Sequence, residues 1–283
     1  MTCGRGSSDH AATFGKYLLE TRVGCVVASG APSVSSIYGR PLVLADALVV
    51  AVSQSGRTPD VVEMARAARR AGALVVAFVN DERSPLAEAA ELVVPLCAGP
   101  EHAVAATKSF LLACLAFIDL ASRWADDAEL RDAVSCAPDL LSTPTSMSLA
   151  PLALARSVYV VARGLGTGAA LEIALKLKET CVLHAEAFSA AELQHGPIAL
   201  VEPGFPVVGV VQDDGTAAGT HATLDQLATL GAHVIEVPVP AAPPALQVLA
   251  AVQSCYLALP ALAALRGFDA DLPRNLRKVT ETR

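Results

Sequence analysis

Two parallel α/β domains in tandem are what this 283-residue sequence predicts. Three observations predict them. Short apolar, β-branched runs alternate with longer helical stretches, the pattern of βαβ units. Aliphatic residues abound while aromatic residues are only 4% of the chain, which suits sheets covered on both faces by helices. The second half also repeats the first. Arg5-Gly6 returns as Arg163-Gly164, Leu18-Leu19-Glu20-Thr21 as Leu177-Lys178-Glu179-Thr180, Val49-Val50 as Val207-Val208 and Gly72-Ala73 as Gly231-Ala232, always offset by 158 or 159 positions.

In the first half Val23–Ala28, Ala47–Val52, Leu74–Asn80 and Leu92–Leu96 read as strands. Thr58–Ala71 reads as a helix, with Thr58 placed to cap it, Pro59 at its first position and Gly72 ending it. Asp81–Ala90 admits a short helix entered through Ser84-Pro85, and a long apolar helix runs from about Ala103 to Trp124. Pro138, Pro144 and Pro151 punctuate a linker over 126–150, between a first domain at 1–125 and a second at 151–283. In the second half Ser157–Ala162, Phe205–Gln212 and Val234–Val237 read as strands, and Gly168–Cys181, Ala222–Leu230 and Ala245–Leu265 as helices. The copies differ at their starts. Val158–Ala162 precedes Arg163-Gly164, whereas only Met1-Thr2-Cys3-Gly4 precedes Arg5-Gly6. The first domain is therefore expected to lack most of its first strand. Either the start was assigned too late or the gap is filled from elsewhere, because an unpaired inner strand leaves backbone groups unsatisfied.

Composition narrows the partners. With 21 basic against 28 acidic residues the net charge is −7, and no basic cluster attracts nucleic acid or an anionic membrane. The apolar run Phe110–Ile118 is too short to span a bilayer and is followed by Asp119, Arg123 and Asp126. No secretory signal pattern opens the sequence. Seven scattered cysteines, without a CxxC pair or Cys/His metal spacing, fit a reduced, cytoplasmic protein with no metal.

Chemistry concentrates in a few places. Ser53-Gln54-Ser55-Gly56-Arg57-Thr58-Pro59 follows a buried strand and opens a helix, and its hydroxyls and backbone N–H groups make a receptor for a phosphate. Arg5-Gly6-Ser7-Ser8-Asp9 is a second glycine–hydroxyl turn, where Ser7 and Ser8 either bind ligand oxygens or, with Asp9, simply cap a helix. Gly164-Leu165-Gly166-Thr167-Gly168-Ala169 has the spacing of a dinucleotide turn but lacks a strand-end acid at the usual distance; Glu186 falls nearby in a segment without strand character. Glu172, Lys176 and Glu179 share one face of an otherwise apolar helix, a costly arrangement unless it faces a polar cleft, where a carboxylate beside a lysine suits proton transfer. Further on stand His184-Ala185-Glu186 and Glu192-Leu193-Gln194-His195-Gly196-Pro197; His195, in a turn, is the better placed histidine for chemistry. The polar, basic tail Pro273-Arg274-Asn275-Leu276-Arg277-Lys278 is either a frayed end or a flap over an anionic ligand.

Together Ser53-Gln54-Ser55-Gly56, Thr107-Lys108-Ser109-Phe110, Ala174-Leu175-Lys176-Leu177-Lys178-Glu179, His184-Ala185-Glu186, Glu192-Leu193-Gln194-His195-Gly196-Pro197 and Pro273-Arg274-Asn275-Leu276 resemble the sugar isomerase (SIS) family over nearly the whole chain. The resemblance implies two tandem Rossmann-like, flavodoxin-like domains and a sugar-phosphate substrate, with no cofactor. It implies that Ser53, Gln54, Ser55 and Thr58 hold the phosphate, that Gly6, Ser7, Ser8 and Val104 meet the sugar, and that Glu179 moves a proton between C1 and C2. It further implies that Lys176 and Lys278 complete the pocket of a homodimer, with His195 assisting ring opening from the neighbouring subunit. The chain looks like the isomerase half of glutamine–fructose-6-phosphate aminotransferase. The turn Arg5-Gly6-Ser7-Ser8-Asp9-His10, Ala106 before Thr107-Lys108, and Lys278-Val279-Thr280-Glu281-Thr282 make it more like SIS-fold glucosamine-6-phosphate deaminase. Nothing in the sequence resembles a glutaminase domain. The expected activity is conversion of glucosamine 6-phosphate to fructose 6-phosphate and ammonia; the alternatives are a glutaminase-less synthase-type isomerase and a non-catalytic sugar-phosphate-binding regulator.

Overall fold

The computed structural model describes residues 1–276 and Lys278. The chain divides into two compact units, one containing Met1–Ala125 and Lys278, the other Asp126–Leu276.

The first unit runs β1 (Thr2–Cys3), α1 (Ser7–Arg22), α2 (Pro32–Ser36), β2 (Leu48–Ser53), α3 (Pro59–Arg70), β3 (Leu74–Val79), α4 (Pro85–Ala89), β4 (Leu92–Pro95) and α5 (Lys108–Trp124). Its four strands are parallel in the order β1-β2-β3-β4. Strand alternation divides the buried residues between two faces. Val49, Ala51, Val75 and Ala77 pack under Val61, Met64, Ala65 and Ala68 of α3 and Leu86 of α4. On the other face Phe78 meets Phe117 of α5, ring centroids 4.9 Å apart. Gly15 lets α1 close on that ring, for a Cβ there would lie 2.4 Å from Phe117.

The first strand is short. β1 pairs only Thr2 with Val50 and Cys3 with Ala51. That brevity corrects another expectation: Val23–Ala28 forms no strand. The segment reaches the sheet at one parallel bridge, Thr2 to Ser29, flanked by Thr2 N to Ala28 O at 2.9 Å and Gly30 N to Thr2 O at 2.7 Å, while Val26 is exposed. A two-residue strand offers too few backbone groups to extend a ladder.

The second unit runs α6 (Ala128–Ser142), β5 (Ser157–Ala162), α7 (Gly166–Cys181), β6 (His184–Ser189), α8 (Ala190–Leu193), β7 (Pro206–Gly209), α9 (Ala217–Thr229), β8 (His233–Glu236) and α10 (Pro244–Leu265). Its parallel order is β6-β5-β7-β8. The bridge at Ser29, β1, β2 and β3 thus correspond to β6, β5, β7 and β8, as the repeat requires. Gly72 and Gly231 end the equivalent helices α3 and α9 in the left-handed region, φ 86° and 90°.

Three further readings are corrected. The segment taken as a linker carries α6, capped by the Asp127 carboxylate accepting from Leu130 N at 3.1 Å, and the helix continues through Pro138. The His184-Ala185-Glu186 segment, read as lacking strand character, is the start of β6 and pairs all six residues with β5. α5 starts at Lys108 rather than near Ala103, because residues 103–107 belong to the preceding loop. Among the described residues the helix long and apolar enough to cross a membrane is α10, not the Phe110 run. It packs on α7 and most of it is buried.

Candidate functional site

Two turns of the first unit emerge at the carboxyl ends of adjacent strands, the usual position of ligand crevices in such sheets. After β2, Ser53 is buried and its Oγ accepts from Gly56 N at 3.0 Å; Ser55 Oγ accepts from Arg57 N at 3.3 Å. Gly56 has φ 61°, and a Cβ there would lie 2.0 Å from Ser84 Oγ, so the tight turn admits only glycine. Thr58 occupies the N-cap position of α3 with extended backbone, yet its side chain makes no capping bond. Its expected capping is corrected: the hydroxyl is left for another acceptor or donor.

After β1, Gly6 caps α1 at φ 53°, ψ −130°, a conformation closed to residues with a side chain. Ser7 and Ser8 are the first two residues of α1, both half-buried, and the N-cap Gly6 has no side chain to cap that helix. Arg5 joins the two turns. Its Nε and Nη2 donate to Asp60 Oδ2, and Asp60, in the first turn of α3, is 3% exposed.

The loop bearing Val104 is held from three sides. Asn80 accepts from Ala98 N at 2.8 Å and donates to Gly99 O at 2.9 Å. Glu101 accepts from the backbone N–H groups of Thr107 and Lys108, both at 2.8 Å, and from the Ser109 hydroxyl. Lys278 Nζ donates to Ala103 O, so Lys278 meets the first unit rather than the domain its sequence position assigned it to. Burial pushes the Glu101 carboxyl up, but the Ser109 and Thr107 hydrogen bonds and the Lys278 charge outweigh it and hold the carboxyl below its ordinary value.

In the second unit the helical spacing does what it promised. Glu172 and Lys176 are fully buried, and Glu179 is one-fifth exposed. Lys176 Nζ lies 3.4 Å from Glu172 Oε1 and donates to Glu179 Oε2 at 2.5 Å. Burial lowers the lysine's proton affinity, but the two carboxylates prevail, and its pKa is raised. The group is a charged lysine held between one sealed and one accessible carboxylate. Glu179 lines a cavity of about 170 Å³ with Thr180, Phe268, Asp269, Leu272 and Arg274, and the Arg274 guanidinium sits 4.7 Å from the Phe268 ring centre. His195 is exposed in the turn after α8, its backbone N–H bonded to Glu192 O at 2.9 Å; its imidazole makes no hydrogen bond among the described residues.

The glycine-rich turn before α7 serves packing. Gln212 is buried and donates to Arg163 O at 2.8 Å, Asp214 Oδ2 at 2.9 Å and Thr216 Oγ1 at 2.9 Å. Its side chain fills the space over the turn: a Cβ on Gly166 would stand 2.7 Å from Gln212 Oε1. The glycines admit glutamine where a dinucleotide site would admit pyrophosphate, and Glu186 lies midway along β6 rather than at its end. Among the described residues no group of three or more His, Cys, Asp or Glu is placed to hold a metal ion.

Sequence reading missed Glu101, Gln212 and Tyr256, whose hydroxyl bonds Glu172. Glu101 stands six residues before the N-cap of α5, outside the three-residue capping-box spacing. The repeat offered a signal for Gln212, which is the counterpart of Gln54.

Comparison with known proteins follows this geometry. A SIS domain model matches residues 1–122 and 152–238. Curated glutamine–fructose-6-phosphate aminotransferases (isomerizing) are similar along almost the whole chain. That of Aeropyrum pernix is 36% identical over 98% of this chain and 50% of its own length, and that of Streptomyces coelicolor is 34% identical over 96% and 50%. The chain therefore spans about half the length of these curated relatives. Among solved structures, a candidate phosphosugar isomerase from Silicibacter pomeroyi superposes with TM-score 0.89 at 40% identity, covering 95% of this chain and 87% of that one. A glucosamine-6-phosphate deaminase from Thermotoga maritima shares the fold, with TM-score 0.83 at 23% identity over 99% and 90%.

Proposed function

Because the chain belongs to the SIS domain family, we propose that it is an amino-sugar-phosphate isomerase and deaminase that converts glucosamine 6-phosphate to fructose 6-phosphate and ammonia. One observation carries the reading: Lys176, buried and cationic, bonded to the partly exposed carboxylate of Glu179. The lysine orients the Glu179 carboxylate, and the exposed side of that carboxylate remains open to substrate as a base requires. The solved relative at 40% identity, described as a candidate phosphosugar isomerase, supports a phosphorylated sugar as substrate.

In this reading Ser53, Gln54, Ser55 and Thr58 bind the phosphate, and Gly6, Ser7, Ser8 and Val104 orient the sugar. Lys278 closes over it. His195 of the partner subunit in a cytoplasmic homodimer helps open the ring to the C1 aldehyde. Glu179 takes the C2 proton while O1 gains one, leaving a C1–C2 double bond that carries O1 on C1 and nitrogen on C2. Return of the proton to C1, with loss of a proton from nitrogen, leaves an imine at C2. Water adds to that imine and ammonia departs, leaving the ketone.

The test is ammonia and fructose 6-phosphate production by the purified protein from glucosamine 6-phosphate, with Glu179→Gln as control. Stoichiometric release of both, abolished in the variant, is expected; no release, or full turnover by the variant, overturns the assignment. The likeness to aminotransferases favours a second reading, a synthase-type isomerase. Net formation of glucosamine 6-phosphate from fructose 6-phosphate only when a glutaminase partner or free ammonia is supplied would favour it.

A further inference from the structure

The buried charge pair in the second unit does not end at Glu172. Tyr256, on the face of α10 that packs against α7, donates its hydroxyl to Glu172 Oε1 at 2.8 Å. The same oxygen is the one 3.4 Å from Lys176 Nζ. A line of contacts therefore runs from the Tyr256 hydroxyl through Glu172 and Lys176 to Glu179.

We propose that Tyr256 is a positioning residue for the base, acting through Glu172 to decide how much of the Lys176 charge falls on Glu179. The inference rests on the reading of Glu179 as the base. Lys176 is one cation shared by two carboxylates, and each carboxylate competes for it. Glu172 is sealed from water, so its negative charge must be compensated from within the protein. The tyrosine hydroxyl supplies part of that compensation. With it, the ammonium is free to sit at hydrogen-bond distance from Glu179 and farther from Glu172. Without it, Glu172 draws the ammonium toward itself and away from Glu179. Among the described residues, the charged groups around the relay include Glu172, Lys176 and Glu179 on α7 and, lining the cavity beside Glu179 beyond α10, Asp269 and Arg274. From α10 itself Tyr256 is the titratable side chain bonded to the relay, and β5 and β6 flank α7 on its other side.

The two ends of the relay give opposite signs, which a merely structural role would not. Tyr256→Phe is expected to lengthen the Lys176–Glu179 contact and so to move the Glu179 carboxyl carbon resonance at neutral pH. Glu172→Gln removes the competing charge, draws the ammonium toward Glu179 and is expected to move that resonance in the opposite direction. Both are read in the substrate-free protein by carboxyl carbon NMR, with the Glu179 resonance identified by its loss in Glu179→Gln. If Tyr256→Phe does not fold, the Glu172→Gln shift alone decides. The same variants are then assayed on glucosamine 6-phosphate. Tyr256→Phe is expected to lower kcat/KM about three- to tenfold through kcat and to leave KM within about twofold. An unchanged Glu179 resonance in either variant, or shifts of the same sign, overturns the proposal. Absence of turnover by the parent protein with the expected NMR shifts would instead overturn the reaction and leave the relay standing.

Discussion

Arg5 meets Asp60 through two nitrogens on one oxygen, Nε at 2.8 Å and Nη2 at 2.5 Å from Oδ2. The pair joins the turn after the first strand to the first turn of α3. Asp60 is buried while the arginine is half exposed. The other carboxylate oxygen, Oδ1, is buried without a hydrogen-bond partner. Removing Arg5 leaves that carboxylate sealed and uncompensated. Arg5→Ala is expected to destabilise the protein by about 2–3 kcal/mol, read as a lower urea midpoint. In the proposed reaction it also raises KM more than it lowers kcat.

Gly56 makes a sharper prediction. At φ 61°, with Ser84 Oγ 2.0 Å from where a Cβ would stand, alanine is excluded by conformation and by space. Ser84 cannot retreat cheaply, because it is fully buried and its Oγ accepts from Ala87 N to cap α4. Gly56→Ala should cost at least about 2 kcal/mol and weaken binding of inorganic phosphate, measured by calorimetric titration.

Glu101 gives a pH signature. Its carboxyl in the folded protein lies below the ordinary value of 4.5. A depressed folded pKa contributes stability that is present above the unfolded value and is lost as pH falls through the folded one. Glu101→Gln should therefore be less stable than the parent protein at neutral pH, and the gap should narrow as pH falls below 4.5. Urea unfolding at a series of pH values measures it; a gap constant with pH would contradict the assigned hydrogen bonds.

Lys176 carries the opposite sign. Its pKa is raised above 10.5, so its contribution is complete below that pH and is lost as pH rises through the folded value. Lys176→Met leaves Glu172 buried without its cation and should lower stability by about 3–5 kcal/mol at pH 7, seen by urea unfolding.

Gly166 and Gln212 should behave as one unit. Gly166→Ala drives a methyl into Gln212 Oε1 and is expected to destabilise the protein. In a Gln212→Ala background the clash is gone, and the same substitution should cost less, with a coupling of about 1–2 kcal/mol in a double-mutant cycle. Additive losses would show that the glycine serves some other constraint.

The duplicated fold was legible because strand alternation, helix ends and two copies of one pattern are local signals. The Glu172, Lys176 and Glu179 face was legible because helical spacing alone brings those side chains together. Val23–Ala28 was misread because its composition suits a strand, whereas pairing depends on a neighbour, and β1 offers two residues. α6 was missed because Pro138 sits inside it, and β6 because His184-Ala185-Glu186 carries strand geometry without strand composition.

By itself the sequence determined the family, the doubled α/β plan, the two hydroxyl turns and the lysine–carboxylate helix, since each rests on residues close together in the chain. Only tertiary structure decided that Arg5 clasps Asp60, that Glu101 anchors the loop of Val104, that Gln212 fills the glycine turn and that Tyr256 backs Glu172. The physical reason is the same in each case. These pairs are separated by many residues or lack a fixed spacing, and a hydrogen bond or buried charge acquires its partner only when the packed strands and helices bring the two together.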